Sequence, residues 1–337
     1  MTKRALKHAG LTLGLLALAS IGSTALAQEL PKAARLPLGA MMRPPLRTSP
    51  AATDTSSLRY TVISFPGDLS TQGVGINPGA STASAEIVGG HVFNGGQNGT
   101  GFRGHLRGGK AMAQSYESVN DPAGPVQQQA YSVNDAGQVV GDYFDSAGNF
   151  HAYELDGTSY KPLEVPFTGA TGTYSPGINN AGQIAGGWID GNGLSHGFTL
   201  VGGTYSSFDY PGAAQTVARA INSQGDISGY WVDGSGNYHG FLKQGATYTS
   251  VDVPGAVFTI AVGLNDADEL AGGFCPTADC VNTGIGEEGF VYRNGSFTTV
   301  AVPGEPATGL GGISNSGIVI GTYFDDAGAY YAFTATP

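Results

Sequence analysis

From residue 58 onward, short apolar stretches containing Tyr, Phe, Val and Thr alternate with polar breaks made of Gly, Asn, Asp and Pro. Such stretches predict β-strands, and such breaks predict tight turns. One phrase recurs: an apolar residue, Asn, a polar residue, a spacer, Gly, then a short strand ending in Gly and an aromatic. It reads Val133-Asn134-Asp135-Ala136-Gly137, Ile178-Asn179-Asn180-Ala181-Gly182 and Ile221-Asn222-Ser223-Gln224-Gly225. Leu264-Asn265-Asp266-Ala267-Asp268 and Ile313-Ser314-Asn315-Ser316-Gly317 follow the same plan, and a weaker copy starts at Ile76-Asn77-Pro78-Gly79. The intervals after the weak copy are 45, 43, 43 and 49 residues. A period of roughly 40–45 residues fits one four-stranded propeller blade.

Each period divides into four strands. In one copy, Gln215–Ile221 is the inner strand and Asn222–Gly225 its turn. Asp226–Val232 is the second strand, closed by Asp233-Gly234-Ser235-Gly236. Tyr238–Lys243 is the third, and Thr247–Val253 the fourth, stopped by Pro254-Gly255. Asn and Gly tolerate the positive φ of tight connections. Proline ends pairing because it has no N–H to donate. The last copy stops after Tyr331-Ala332-Phe333 and lacks its fourth strand, while residues 59–67 form a spare outer strand with its own Pro66-Gly67 stop. Setting the spare strand beside the last copy completes a sixth blade and closes a ring, which protects the sheet edges. The expected fold is therefore an all-β propeller of six four-stranded blades over residues 58–337, closed by the N-terminal outer strand. Its repeats start near 76, 133, 178, 221, 264 and 313. The rival is an open solenoid of the same repeats.

The tripeptides His151-Ala152-Tyr153, His196-Gly197-Phe198, His239-Gly240-Phe241 and Tyr331-Ala332-Phe333 resemble the signature of the HAF family of bacterial extracellular repeats. The copy at Glu288-Gly289-Phe290 replaces the His, and Arg103-Gly104-His105 is degenerate. The resemblance covers most of residues 130–337 and, more weakly, 58–130. It implies a secreted, propeller-like protein and supplies no catalytic residues.

Before the repeats the chain changes character. Lys3, Arg4 and Lys7 precede an apolar run from Leu11 to Ile21, and Ala25-Leu26-Ala27 offers a small-x-small cleavage site. That run is short of the roughly 20 apolar residues that span a bilayer. Residues 1–27 thus read as a signal peptide, and the expected destination is the periplasm or the extracellular space. No later segment is apolar enough to cross a membrane. Residues 28–57 are Pro- and Ala-rich, carry Lys32, Arg35, Arg43 and Arg47, and read as a disordered arm. Export favours a disulfide between the two cysteines, Cys275 and Cys280.

Composition narrows the partners. Gly makes up 55 of 337 residues with no collagen period, as many tight turns require. The formal charge is −11, and −14 without the signal peptide. Nucleic acid is excluded, since its binding rests on Lys and Arg.

Several motifs carry candidate chemistry. Gly193-Leu194-Ser195-His196-Gly197 matches a hydrolase elbow, yet it falls at a hairpin and third strand rather than a strand-to-helix turn. Gly284-Ile285-Gly286-Glu287-Glu288-Gly289 matches a dinucleotide loop but runs into a strand and carries an anionic pair. His151, His196 and His239 sit on third strands of different blades and cannot share a metal. Asp145, Asp190, Asp233 and Asp325 begin the turns between second and third strands. Carboxylates there suit Ca²⁺, and they equally suit ordinary hairpin chemistry. In an up-and-down blade these turns share one face with the outer-to-inner crossovers and with the long Cys275–Glu288 excursion. A ligand site is expected on that face, around the channel mouth. Arg219, the only cation on the clear inner strands, is the candidate for meeting an anionic group.

Three functions follow. The first is a secreted, monomeric binding or scaffold module for an extracellular glycan or protein. The second is a glycan lyase or hydrolase using the channel mouth, which needs two groups converging on one bond. The third is a purely structural surface protein. No converging acid–base or nucleophile set stands out, so the reading leans away from an enzyme.

Overall fold

The computed structural model describes residues 58–64, 68–93, 99–108, 110–111, 116–119, 127–326 and 328–336. The expected signal peptide, the arm at 28–57 and the Pro66-Gly67 stop lie outside the described residues. The described chain forms a six-bladed β-propeller. Four blades are simple antiparallel meanders: Gln127–Val133 to Ser159–Pro162, Gly172–Ile178 to Thr204–Phe208, Gln215–Ile221 to Thr247–Val251, and Phe258–Leu264 to Ser296–Val300. The first blade is irregular outside. Asp68–Ile76, Ser84–Phe93 and Gly99–Arg107 are followed by two short pieces, Lys110–Ala111 and Glu117–Val119, that both pair with Gly99–Arg107. Among the described residues no helix is long and apolar enough to cross a membrane.

The sixth blade is shared by the two ends of the chain. Ala307–Ile313, Val319–Phe324 and Tyr330–Thr336 supply three strands, and Arg59–Ile63 supplies the outer one. Ile63 lies opposite Ala332 and Arg59 opposite Thr336. Ile63 is fully buried, Tyr60 packs on Phe333, and the Tyr60 hydroxyl donates to the Ala301 carbonyl at 3.0 Å. The ring is closed, not a solenoid.

The repeated Asn builds each inner turn and ties it to the next blade. Asn179 Oδ1 accepts the N–H groups of Ala181 and Gln183, while its Nδ2 donates to the carbonyl of Asn222 one blade on. Asn134, Asn222 and Asn265 repeat the arrangement, and Ser316 Oγ donates to Ala80 to cross the last seam. Each Asn is buried and its bonds are satisfied, so the strongest sequence signal is a structural staple. The fourth turn residue needs positive φ. It is Gly in most copies, and in the copy that reads Asp268 the φ is 57°, a region Asp tolerates better than most residues.

The Gly–aromatic pattern has an equally local cause. Gly141, Gly186, Gly229, Gly272 and Gly321 lie directly opposite Tyr153, Phe198, Phe241, Phe290 and Phe333 on the neighbouring strand. The ring lies over the bare glycine backbone, and all five aromatics are at most 1% exposed.

One element was not expected from the sequence. Inside the Cys275–Glu288 excursion, residues Ala278–Thr283 form a six-residue helix, α1. Thr277 caps its start by accepting from the Cys280 N–H, and Gly284, with φ 77°, ends it. Cys275 and Cys280 form the expected disulfide, which anchors α1 to the end of the second strand of its blade.

Candidate functional site

The inner strands surround a narrow axial channel, and each carries an irregularity partway along it. Pairing with the second strand slips between Gly73 and Gly75, Ala130 and Ser132, Tyr174 and Gly177, Ala218 and Ala220, Ala261 and Gly263, and Leu310 and Gly312. A bulge re-aims the extra residue. The extra residues Val74, Tyr131, Arg219, Val262 and Gly311 all line the channel. Each stands three positions before the residue that opens its blade's inner turn, Asn77, Asn134, Asn222, Asn265 or Ser314. Of these five, Tyr131 and Arg219 carry polar side chains.

The channel has two compartments that meet at this ring. The one toward the crossover face is about 40 Å³ and includes Gln72, Gln129, Glu287 and Thr322 in its wall. The other, about 50 Å³, is walled by the apolar residues that end the inner strands, Ile76, Val133, Ile178, Ile221, Leu264 and Ile313. The side chains of Gln72, Gln129, Glu287 and Thr322 thus border the crossover-side compartment and not the other.

Arg219 stands at the junction, 8% exposed. Its guanidinium carbon lies 4.6 Å from the centroid of the Tyr131 ring, a cation–π contact. Its Nε and Nη1 have no hydrogen-bond partner among the described residues, and no carboxylate there forms a salt bridge with it. Burial pushes the Tyr174 and Tyr230 hydroxyls up, and the Arg219 charge acts on both in the opposite direction, so its field reaches that wall. Gln129 donates to Gln72 across the first seam at 3.0 Å. Glu287 is 2% exposed and its carboxylate occupies the space over Gly273. It arrives there because the chain leaving α1 folds back, with the Glu287 N–H on the Gly284 carbonyl and its C=O on the Thr308 N–H.

The structure does not bring the four acidic turns together with Arg219. Asp145, Asp190, Asp233 and Asp325 lie at the second-to-third strand turns, and none lines the channel compartments. Their carboxylates are engaged in their own turns. Asp233 Oδ1 accepts the N–H groups of Ser235 and Asn237, and its Oδ2 accepts from Asn237 Nδ2. Those bonds, led by the Asn237 N–H, bring its carboxyl down to about 2. Asp145 and Asp190 are lowered by the same kind of bonds. Among the described residues no group of three or more His, Cys, Asp or Glu is placed to hold a metal ion.

The repeated histidines complete these turns. His151 Nε2 lies 3.3 Å from Asp145 and Nδ1 2.8 Å from Glu164, and the ring stacks on Tyr143 at 5.1 Å. His196 bridges Asp190 and Asp209 over Trp188, and His239 bridges Asp233 and Asp252 over Trp231. In the last blade Tyr331 takes the place, donating to Asp325 and stacking on Tyr323. The motif His is thus a clasp between the turn and the end of the outer strand.

Burial opposes protonation of His151, but the bonds to Glu164 and Asp145 outweigh it and raise its pKa above 6.5. A raised folded pKa stabilises the fold fully below pH 6.5, and that contribution disappears as pH rises through the folded value. The melting temperature is expected to fall on going from pH 6 to pH 8.5, with a smaller fall in His151→Gln. Identical pH profiles for the two proteins would show that His151 contributes nothing.

The two enzyme-like motifs are structural. Ser195 Oγ accepts from the Tyr174 hydroxyl at 2.7 Å at the start of a third strand, and Gly289 lies within the strand Glu288–Arg293. His91 is buried on the first blade, and His105 is exposed, 3.8 Å from Glu86. Tyr131 was missed by sequence reading although it shares the position of Arg219 three residues before the staple Asn. Glu287 carried no usable signal, because its place in the channel depends on the α1 excursion.

No family model and no curated protein matches the chain. Among solved structures, it is similar to the fucose-specific lectin from Aleuria aurantia at 10% identity, over 80% of this chain and 93% of that one, with a TM-score of 0.49. It is also similar to the Trypanosoma rangeli sialidase in complex with the inhibitor DANA, at 8% identity over 82% and 59% of the two chains, TM-score 0.49. A third is TolB from Acinetobacter baumannii, at 12% identity over 81% and 65%, TM-score 0.46. Likeness at this level carries no argument about ligand or activity.

Proposed function

We propose that the protein is an exported binding module of the HAF-repeat kind that holds an extracellular ligand, a glycan in the first instance, at the crossover-face mouth of its axial channel. The observation that carries this reading is the contrast between the repeats and the channel. The staple Asn residues and the turn Asp residues spend their hydrogen bonds on the scaffold itself. Arg219 departs from the repeat and sits in the channel with unspent donors. Export is supported by the Lys3-Arg4-Lys7 and Leu11–Ile21 pattern and agrees with the disulfide.

The test is a thermal-shift titration of the purified protein against oligosaccharides, each sample also checked for released product. A ligand that binds only the folded state adds about 2.7 kcal/mol at a hundredfold excess over Kd. A saturable rise of several degrees with intact ligand recovered is the expected result. Turnover in the same samples would favour the glycan-active enzyme instead. No shift with any saccharide would leave the scaffold or structural role in front.

A further inference from the structure

We propose that the axial channel is an oxyanion site: the Arg219 guanidinium receives a single carboxylate, carried at the end of an acidic saccharide such as a uronic acid, while the sugar ring stays in the mouth. The inference rests on the binding reading above and adds the chemistry of the ligand.

The argument starts from charge. A guanidinium cannot shed its proton in a protein, so Arg219 is a buried cation. A buried charge is costly unless paired and hydrogen-bonded. The Tyr131 ring offsets part of that cost through one face of the guanidinium. The Nε and Nη1 donors remain without a partner among the described residues. Planar donors of this kind fit the oxygens of a carboxylate.

Size and surroundings narrow the class. About 40 Å³ holds about three waters, at roughly 10–15 Å³ each on this measure. That is room for a carboxylate and too little for a sugar ring. Glu287 lines the same compartment, so any incoming anion meets a like charge there, and the repulsion is greater for a doubly charged phosphate than for a carboxylate. The site also has an asymmetry that a scaffold role does not need, since Val74, Val262 and Gly311 hold three of the equivalent ring positions.

The experiment titrates the purified protein by calorimetry with trigalacturonate, with neutral galactotriose of the same length, with acetate and with inorganic phosphate, using wild type, Arg219→Met and Arg219→Gln. The expected result is that trigalacturonate binds, that galactotriose and phosphate bind at least tenfold more weakly, and that both variants lose at least tenfold for trigalacturonate alone. Acetate competing with trigalacturonate in the wild type and not in the variants would identify the carboxylate as the group recognised. Both variants are expected to melt at or above the wild-type temperature, because an unpaired buried charge has been removed. A marked drop in melting temperature in both would make Arg219 a structural residue and overturn the proposal. Galactotriose binding as tightly as trigalacturonate, or variants binding trigalacturonate unchanged, would also overturn it while leaving the binding module intact. Absence of binding by either saccharide would overturn the oxyanion site, and only silence across the wider oligosaccharide panel would also remove the binding module.

Discussion

A chain lacking residues 58–64 is expected to lose its ring closure, to melt at least about 10 °C lower and to self-associate. The strand Arg59–Ile63 is the whole outer edge of the sixth blade, and its five residues pair in register with Ala332–Thr336. Ile63 is fully buried in a cluster that also holds Ala332 and Ile320, and burying such a side chain contributes about 1.5–3 kcal/mol. Tyr60 adds its ring against Phe333 and a hydrogen bond to the Ala301 carbonyl, the latter about 1 kcal/mol. A total on the order of 4 kcal/mol corresponds to about 10 °C for a domain of this size. Self-association follows from a different cause. Without its partner the strand Tyr330–Thr336 presents unpaired N–H and C=O groups, which recruit other strands. Calorimetry and size-exclusion chromatography would read the two effects, and a synthetic 58–67 peptide added in trans should restore part of the melting temperature. The point variant Ile63→Asp should reproduce the destabilisation at unchanged length. A truncated chain that melts like the full one and remains monomeric would show that closure does not rest on this strand.

Gly229→Ala is expected to cost about 3 kcal/mol, although it adds a single methyl group. Gly229 lies opposite Ala218 on the inner strand and Phe241 on the third. A Cβ at that position would overlap the Val217 carbonyl oxygen and lie 2.8 Å from Phe241 Cε1. Overpacking of a well-filled core typically costs about 1–3 kcal/mol. The upper end applies because one obstacle is a ladder carbonyl that cannot turn aside without breaking strand pairing. The control is Gly234→Ala, in a turn where a Cβ meets nothing within 4 Å and φ is not positive. That variant is expected to be neutral or slightly stabilising, since alanine narrows the unfolded ensemble. Denaturant midpoints of the two variants would separate them. Equal midpoints would show that the Gly–aromatic pairing is not what fixes this position.

These two predictions also show where the sequence was informative. The spare strand at 59–67 and the missing fourth strand after Phe333 could be matched by counting, and they meet in the sixth blade, with Arg59–Ile63 as the part that pairs. The Asn turns, the turn Asp residues and the cysteine pair were legible because their bonds run within a few residues of one another. Helix α1 was not, because six residues are too few to show a helical period. The clasp role of His151, His196 and His239 was half legible: their separation was clear, but the carboxylate partners at 164, 209 and 252 come from the ends of the next strands.

For the site, the sequence by itself determined that one repeat position would carry a lone cation at Arg219. Only the tertiary structure decided that this side chain faces the channel, that Tyr131 lies against it and that Glu287 joins the same wall. The reason is physical. Strand alternation assigns faces only while the register is unbroken, and every inner strand here has a bulge at the residue that matters. Whether a buried charge finds a partner depends on what neighbouring blades and a folded-back excursion bring within hydrogen-bonding distance, which no local pattern encodes.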